Sequence, residues 1–143
     1  MKITDEDQQL LSVLRENARA STAEIARRLK LSRTTVHSRI ERLERQGVID
    51  GYTVRVHDEA ERDHIRAHIM ITVLPKQMAA VVAALHAMPE VRALHSVSGP
   101  FDLVALGVAP SVQAMDELTD RIGGIDGVER TTSSIILSAK FER

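Results

Sequence analysis

Residues 31–46 read LSRTTVHSRIERLERQ. Ser32 is placed to cap a helix whose apolar residues Val36, Ile40 and Leu43 recur at helical spacing, so that all three share one flank. The opposite flank carries Thr34, Ser38, Glu41, Arg42 and Arg45, with Thr35 and Arg39 beside it and His37 on the boundary. Gly47 stops the helix, and Val48-Ile49 resume an apolar run. At about 1.5 Å per residue the helix is roughly 21 Å long. Short and hydroxylated at its start and basic behind, it suits a DNA major groove. Taken alone, it would equally serve as a solvated amphipathic helix, so its neighbours decide.

Immediately before it, Ser21-Thr22-Ala23-Glu24 reads as a capping box for a helix running to about Lys30. That helix buries Ile25, Ala26 and Leu29 and turns Arg27, Arg28 and Lys30 outward. Only Leu31-Ser32 separates the two, which is the helix-turn-helix arrangement. Further back, Thr4 precedes Asp5, Glu6 and Asp7, a capped and acidic helix start, and Ile3, Leu10, Leu11 and Leu14 form an inward stripe through about Asn17. After Gly47, Val48 to Val56 is expected to form a strand-like tail or wing bent at Gly51. Phosphate and base contacts to double-stranded DNA fall to Arg27, Arg28, Lys30, Ser32, Arg33, Thr34, Thr35, Ser38, Arg39, Arg42 and Arg45. The short Thr34, Thr35 and Ser38 approach base edges, while the arginines reach guanine or phosphate. Six to eight phosphate contacts per dimer would give a log–log salt slope of about −5 to −7. A core this small is marginal alone and is expected to gain support from the rest of the chain or a partner.

Charge is distributed in keeping with this. The 143-residue chain has a net charge of −1, yet residues 19–45 hold eight basic groups against three acidic ones, a net of +5. Residues 51–143 hold nine basic and twelve acidic groups, a net of −3. A basic patch on a mildly acidic chain fits a DNA reader with a separate second domain. The absence of cysteine excludes disulfides and thiolate metal sites and fits a reducing cytoplasm. No stretch has the length and apolarity of a membrane span or signal peptide, so the expectation is a cytoplasmic, nucleoid-associated protein.

The charged, poorly periodic VHDEAERDHIR at 56–66 reads as a connector. His57, His64 and His68 lack a recognisable ligand spacing, so neither metal nor cofactor is expected. Beyond it, Ala67 to Leu74 reads as a strand ended by Pro75. Gln77 to Met88 reads as a helix burying Met78, Val81, Val82 and Leu85. Val91 to Val97 and Phe101 to Val108 form strands joined by a turn at Ser98-Gly99-Pro100. A second helix spans Ser111 to Ile122, with Val112, Met115, Leu118 and Ile122 inward, and a final strand spans Val128 to Phe141. The order βαββαβ points to a ferredoxin-like split sheet with helices on one face. The fold class is therefore α+β: a winged helix-turn-helix (residues 1–52), a linker (53–65) and a ferredoxin-like domain (66–143). Leu103, Ala105 and Gly107 alternate with Val104, Leu106 and Val108, and both sets are apolar. Ile135 and Leu137 likewise flank Ile136. The face away from the helices therefore needs cover, most simply the same sheet of a second subunit, and a dimer presents paired reading helices to two half-sites.

The run LSRTTVHSRIERLERQGVIDGYT, with VSGPFDLVALGV and GVERTTSSIIL downstream, resembles the Lrp/AsnC family of transcriptional regulators over essentially the whole chain. The resemblance implies dimers joined through sheet faces, often an octamer of four dimers, and a small amino-acid effector that changes DNA binding or assembly. Carried onto matching positions, it implies an effector site at Ser98, Gly99, Phe101, Asp102, Thr132 and Ser134. A glycine turn exposes backbone N–H groups to a carboxylate and hydroxyls add donors; Asp102 either faces an ammonium or caps the turn. The chain departs from the family pattern where the glycine that often follows the wing is missing, and where Pro100 occupies a frequently acidic turn position. The competing reading is an enzyme on the same scaffold, since proteins resembling this architecture decarboxylate sirohaem. The scattered histidines form no base–nucleophile or paired-carboxylate arrangement that would favour it.

Overall fold

Three helices open the chain, each started by a hydroxyl cap that accepts an N–H two or three positions into the helix. In this computed structural model, which describes residues 2–57 and 63–142, they are α1 (Asp5–Glu16), α2 (Thr22–Leu29) and α3 (Arg33–Arg45). Thr4 and Asp7 form a reciprocal capping box on α1. Ser21 accepts from the Glu24 N–H and Ser32 from the Thr35 N–H, each at 3.1 Å. The turn between α2 and α3 is tight because Lys30 takes a left-handed conformation (φ 56°, ψ 46°) that closes α2. At the far end of α3, Gly47 (φ 72°) lets its own N–H reach the Glu44 carbonyl at 3.0 Å and the Val48 N–H reach Leu43 at 2.9 Å. This six-to-one and five-to-two pairing closes the helix and folds Val48 and Ile49 back onto it. The core of this unit is Leu10, Val13, Leu14, Ile25, Ala26, Val36 and Leu43, with Leu11, Leu29, Ile40, Val48 and Ile49 against it.

Two expectations fail here. Ile3 is exposed rather than part of the inward stripe. Residues 50–57 form no strand, so the wing is absent as a hydrogen-bonded element. Tyr52, Val54 and Val56 are exposed, as are the residues between them, and no described strand pairs with this segment. Tyr52 instead donates to Glu44 Oε1 at 2.9 Å, tying the segment back to α3.

The chain divides into two compact units, Met1–Arg55 and Val56–Arg143. Residues 58–62 of the expected connector lie outside the described residues. The second unit comprises β1 (Ile65–Val73), a 3₁₀ turn at Pro75–Gln77, α4 (Met78–His86), β2 (Val91–Ser96), β3 (Leu103–Ala109), α5 (Val112–Gly123) and β4 (Val128–Ile135). The strands order β2-β3-β1-β4, all antiparallel, the split βαββαβ sheet. Alternation along β1 sends Ala67, Ile69, Ile71 and Val73 into the core, where they meet Val81 and Leu85 of α4, Leu103, Ala105 and Ala109 of β3, and Met115, Leu118 and Ile122 of α5. Gly107 belongs to this side: a Cβ there would stand 3.1 Å from Ile69 Cδ1 and from Leu118 Cδ2, so α5 approaches closely here.

Val82 and Val112 are exposed (38% and 63%) rather than inward. Each sits at the margin of its helix's apolar stripe. The last strand stops at Ile135 instead of continuing to Phe141. Ile135 pairs with Ala67, the Ile136 N–H donates to the Arg66 carbonyl at 2.8 Å, and Arg66 Nη1 meets Glu142 Oε1 at 3.4 Å beyond the end of the strand.

Candidate nucleic-acid interface and effector face

On the first unit, Arg27, Lys30, Arg33, Thr34, Ser38 and Arg45 are exposed and Arg39 is half-buried. Among the described residues, none of the five basic side chains in that group has an ion-pair partner. Their charge is therefore available to an external anion such as a phosphate. Other members of the expected set are already engaged. Arg28 Nη1 meets Glu16 Oε2 at 3.0 Å. The Ser32 and Thr35 hydroxyls lie 2.7 Å apart within the cap. Arg42 is held by Asp7, whose side chain has no exposed surface. His37 pairs with Glu41 at 3.2 Å one turn along the outer flank of α3. Sequence periodicity placed Arg42 on the outer flank, but its carboxylate partner is thirty-five positions away and no local pattern reveals it.

On the second unit, the register fixes which residues share the face opposite the helices. One row across the sheet is His95, Val104, Met70 and Thr132; the next is Ala93, Leu106, His68 and Ser134. Arg66 and Val108 continue it at one end, Thr72 and Arg130 at the other. The middle of this face is apolar, and Met70, Val104, Leu106 and Val108 are only half-buried. Thr132 and Ser134 thus stand together on this face along β4. The turn at residues 97–102 lies at the Thr72 end, where the Asp102 N–H donates to the Ile71 carbonyl at 2.9 Å. Phe101 reaches β4, with the Arg130 guanidinium 5.9 Å from its ring centroid. Gly99 adopts φ 102° with open space around it. Asp102 Oδ2 accepts the Val73 N–H at 2.8 Å, a long-range bond to the end of β1; Oδ1 has no partner among the described residues. The structure therefore places Thr132 and Ser134 on the same face along β4, and Phe101 and Asp102 at the Thr72 end of the sheet. It adds Arg130, which sequence reasoning passed over because an isolated arginine in a strand carries no periodic signal.

A cavity of about 250 Å³, lined by His64, Pro89, Glu90, Arg92, Val108, Ala109 and Pro110, opens at the other end of the sheet and includes none of the expected effector residues. His68 lies on a strand and His64 just before it, and among the described residues no group of three or more His, Asp or Glu is arranged to hold a metal ion.

Both units match known families. Residues 66–143 match the Lrp/AsnC ligand binding domain, and residues 5–50 match a winged helix-turn-helix DNA-binding domain. The chain belongs to the Lrp/AsnC family of transcriptional regulators. It is 37% identical over 140 residues to the HTH-type transcriptional regulator LrpA of Mycobacterium tuberculosis, covering 97% of this chain and 93% of that protein. The feast or famine regulatory protein from M. tuberculosis complexed with L-methionine superposes with a TM-score of 0.90 at 36% identity, covering 99% of this chain and 96% of that one. Escherichia coli AsnC superposes at 0.89 with 26% identity, covering 100% and 97%. Like its Lrp/AsnC relatives, the chain is a DNA-binding transcriptional regulator with a ferredoxin-like domain behind its helix-turn-helix. No helix among its described residues is long and apolar enough to cross a membrane.

Proposed function

We propose that this Lrp/AsnC regulator reads DNA as a homodimer and changes its binding or assembly when a small amino acid occupies the sheet margin beside the 97–102 turn. The observation that carries the reading is the exposed flank of α3 and the end of α2, where Arg27, Lys30, Arg33, Arg39 and Arg45 carry charge with no ion-pair partner among the described residues. Thr34 and Ser38 stand among them as the short side chains that reach base edges. Residues 1–52 are the DNA-binding domain, 53–65 the connector and 66–143 the effector and oligomerisation domain, in a protein working in the cytoplasm on the nucleoid.

The occupant of the apolar sheet face is a second copy of the same chain, which covers Met70, Val104, Leu106 and Val108 and duplicates the reading helix. A second copy also supplies a partner for the strand-like run Tyr52, Val54 and Val56. Four such dimers form the closed octamer expected of the family. The effector lies against Ser98, Gly99, Phe101, Asp102, Thr132 and Ser134. Arg130 holds its carboxylate, and Oδ1 of Asp102 is the acceptor available to its ammonium. An L-methionine complex of a relative at 36% identity supports an amino acid as the ligand class. The relatives are named as transcriptional regulators, which supports a regulator rather than an enzyme on the same scaffold.

The test is selection of bound duplexes from a random pool, repeated with each amino acid present. A selected sequence whose retention changes with one amino acid, and no longer does so in Arg130→Gln, is the expected result. A protein that selects no sequence, or whose selected sequence is indifferent to every amino acid, overturns the corresponding half of the reading.

A further inference from the structure

Asp7 is the one buried charged residue among the described residues of the chain. One of its oxygens takes the Thr4 N–H at 3.1 Å and the other takes the Arg42 guanidinium, while Asp7 itself returns an N–H to Thr4 Oγ1 at 3.2 Å. The carboxylate is therefore fixed to the first turn of α1, and α1 is fixed by Leu10, Val13 and Leu14 in the core. Arg42 leaves α3 one position before the buried Leu43 and is itself about two-thirds buried.

We infer that Asp7 is a positioning residue for DNA recognition, acting through Arg42 to fix the pitch and rotation of α3, and that Arg42 contacts no phosphate. The inference rests on α3 being the helix that reads the groove. In the core α3 is held by Val36, Ile40 and Leu43, and apolar packing is non-directional enough to tolerate a small slip. A charge-assisted bond between a fixed carboxylate and a planar guanidinium accepts a narrow range of geometry and selects one setting. Hydrogen bonds to base edges fail within a few tenths of an ångström, whereas contacts to phosphate tolerate more, so the loss of this strut falls on specificity. A phosphate drawing Arg42 away would leave Asp7 buried and unpaired, a costly arrangement. Arg27, Lys30, Arg33, Arg39 and Arg45 offer a phosphate the same charge without that cost.

The experiment compares the full-length protein with Asp7→Asn, Arg42→Gln and the double variant, each checked for folding by circular dichroism and thermal melting. Affinities are measured across a salt series for a duplex selected by the wild type from a random pool and for an unrelated duplex of the same length. The expected result is that each single variant lowers the ratio of the two affinities by about tenfold, the size of effect that one spoiled base contact produces. The double variant is no worse than either single one, and the salt slope is unchanged. A variant that merely unfolds in part weakens both duplexes equally and leaves the ratio intact, which overturns the inference. So does a flattening of the slope by about 0.9 per contact, near 1.8 for a dimer, in Arg42→Gln with Asp7→Asn unaffected, because Arg42 is then a phosphate ligand. If Asp7→Asn does not fold, Asp7→Glu, which keeps the charge and displaces it by one methylene, is subjected to the same comparison. A wild type that selects no duplex removes the reading role of α3 and this inference with it, and is distinguishable from a wild type that selects one whose ratio the variants leave unchanged.

Discussion

The carboxylate of Asp102 accepts the Val73 N–H at 2.8 Å, just past the point where β3 ceases to pair with β1. The last regular pair is Ile71 with Leu103, and β1 shifts register against β4 between Thr72 and Val73. The side chain thus extends the ladder by one bond where the backbone of β3 has turned away. Asp102→Ala is expected to lower the stability of the ligand-free protein by about 1–2 kcal/mol, the cost of leaving that amide unpaired, read from urea denaturation. Asp102→Asn keeps a carbonyl acceptor and should lose less. Unchanged stability in the alanine variant would mean that the residue serves the ligand alone.

Lys30 holds the turn into α3 with φ 56°, a region that costs a residue with a Cβ about 1 kcal/mol or more relative to glycine. Lys30→Gly should therefore raise the unfolding free energy by about 0.5–1 kcal/mol, part of the relief being offset by the greater freedom of glycine in the unfolded chain. The same change removes a charge from the flank proposed to face DNA, so salt-dependent affinity should fall, with a slope flatter by about 0.9 per contact. Lys30→Ala is the control that loses the charge without relieving the strain. Equal stability of the two variants would show that the turn is not strained.

Acid should weaken the first unit through Asp7. Burial acts to raise its pKa, but the Thr4 backbone and hydroxyl bonds and the Arg42 guanidinium outweigh that and hold the carboxyl below its ordinary value of 3.8. A carboxyl depressed in the folded state contributes stability that is fully present above 3.8 and is lost as pH falls through the lower, folded value. The stability difference between wild type and Asp7→Asn should therefore be largest near neutrality and close in the acid range below 3.8. Denaturation at a series of pH values measures it, and a difference that grows on acidification would contradict the assigned direction.

What was legible in the chain was what repeats locally. The caps at Thr4, Ser21 and Ser32, the stripe Val36, Ile40 and Leu43, the glycine stop at Gly47 and the βαββαβ order all follow from spacing within a few residues. Features that depend on a distant neighbour were not legible. Whether Val54 and Val56 lie on a strand turns on whether another strand is opposite, and the alternation of side chains is the same in either case. Val82 and Val112 sit at stripe margins, where spacing alone does not decide burial. Arg42 looks like its neighbours on α3 until Asp7 is brought beside it. Arg130 enters the proposed effector site only through its proximity to Phe101.

Leu106 stands at the centre of the open sheet face, in the row Ala93, Leu106, His68 and Ser134. Its neighbours along β3, Ala105 and Gly107, point to the opposite side and carry the core. Leu106→Arg should therefore leave the subunit folded, with a melting transition near that of wild type at low concentration. It should also place a charge in the middle of any sheet-to-sheet contact, where an unpaired ion is costly. Sedimentation is expected to show monomers where the wild type shows dimers or larger assemblies. Affinity for a two-half-site duplex should fall much further than affinity for a single half-site, because only the first depends on holding two reading helices together. A variant that still sediments as the wild type does would place the subunit contact on another surface. The apolar run of Val104, Leu106 and Val108 would then require a different occupant.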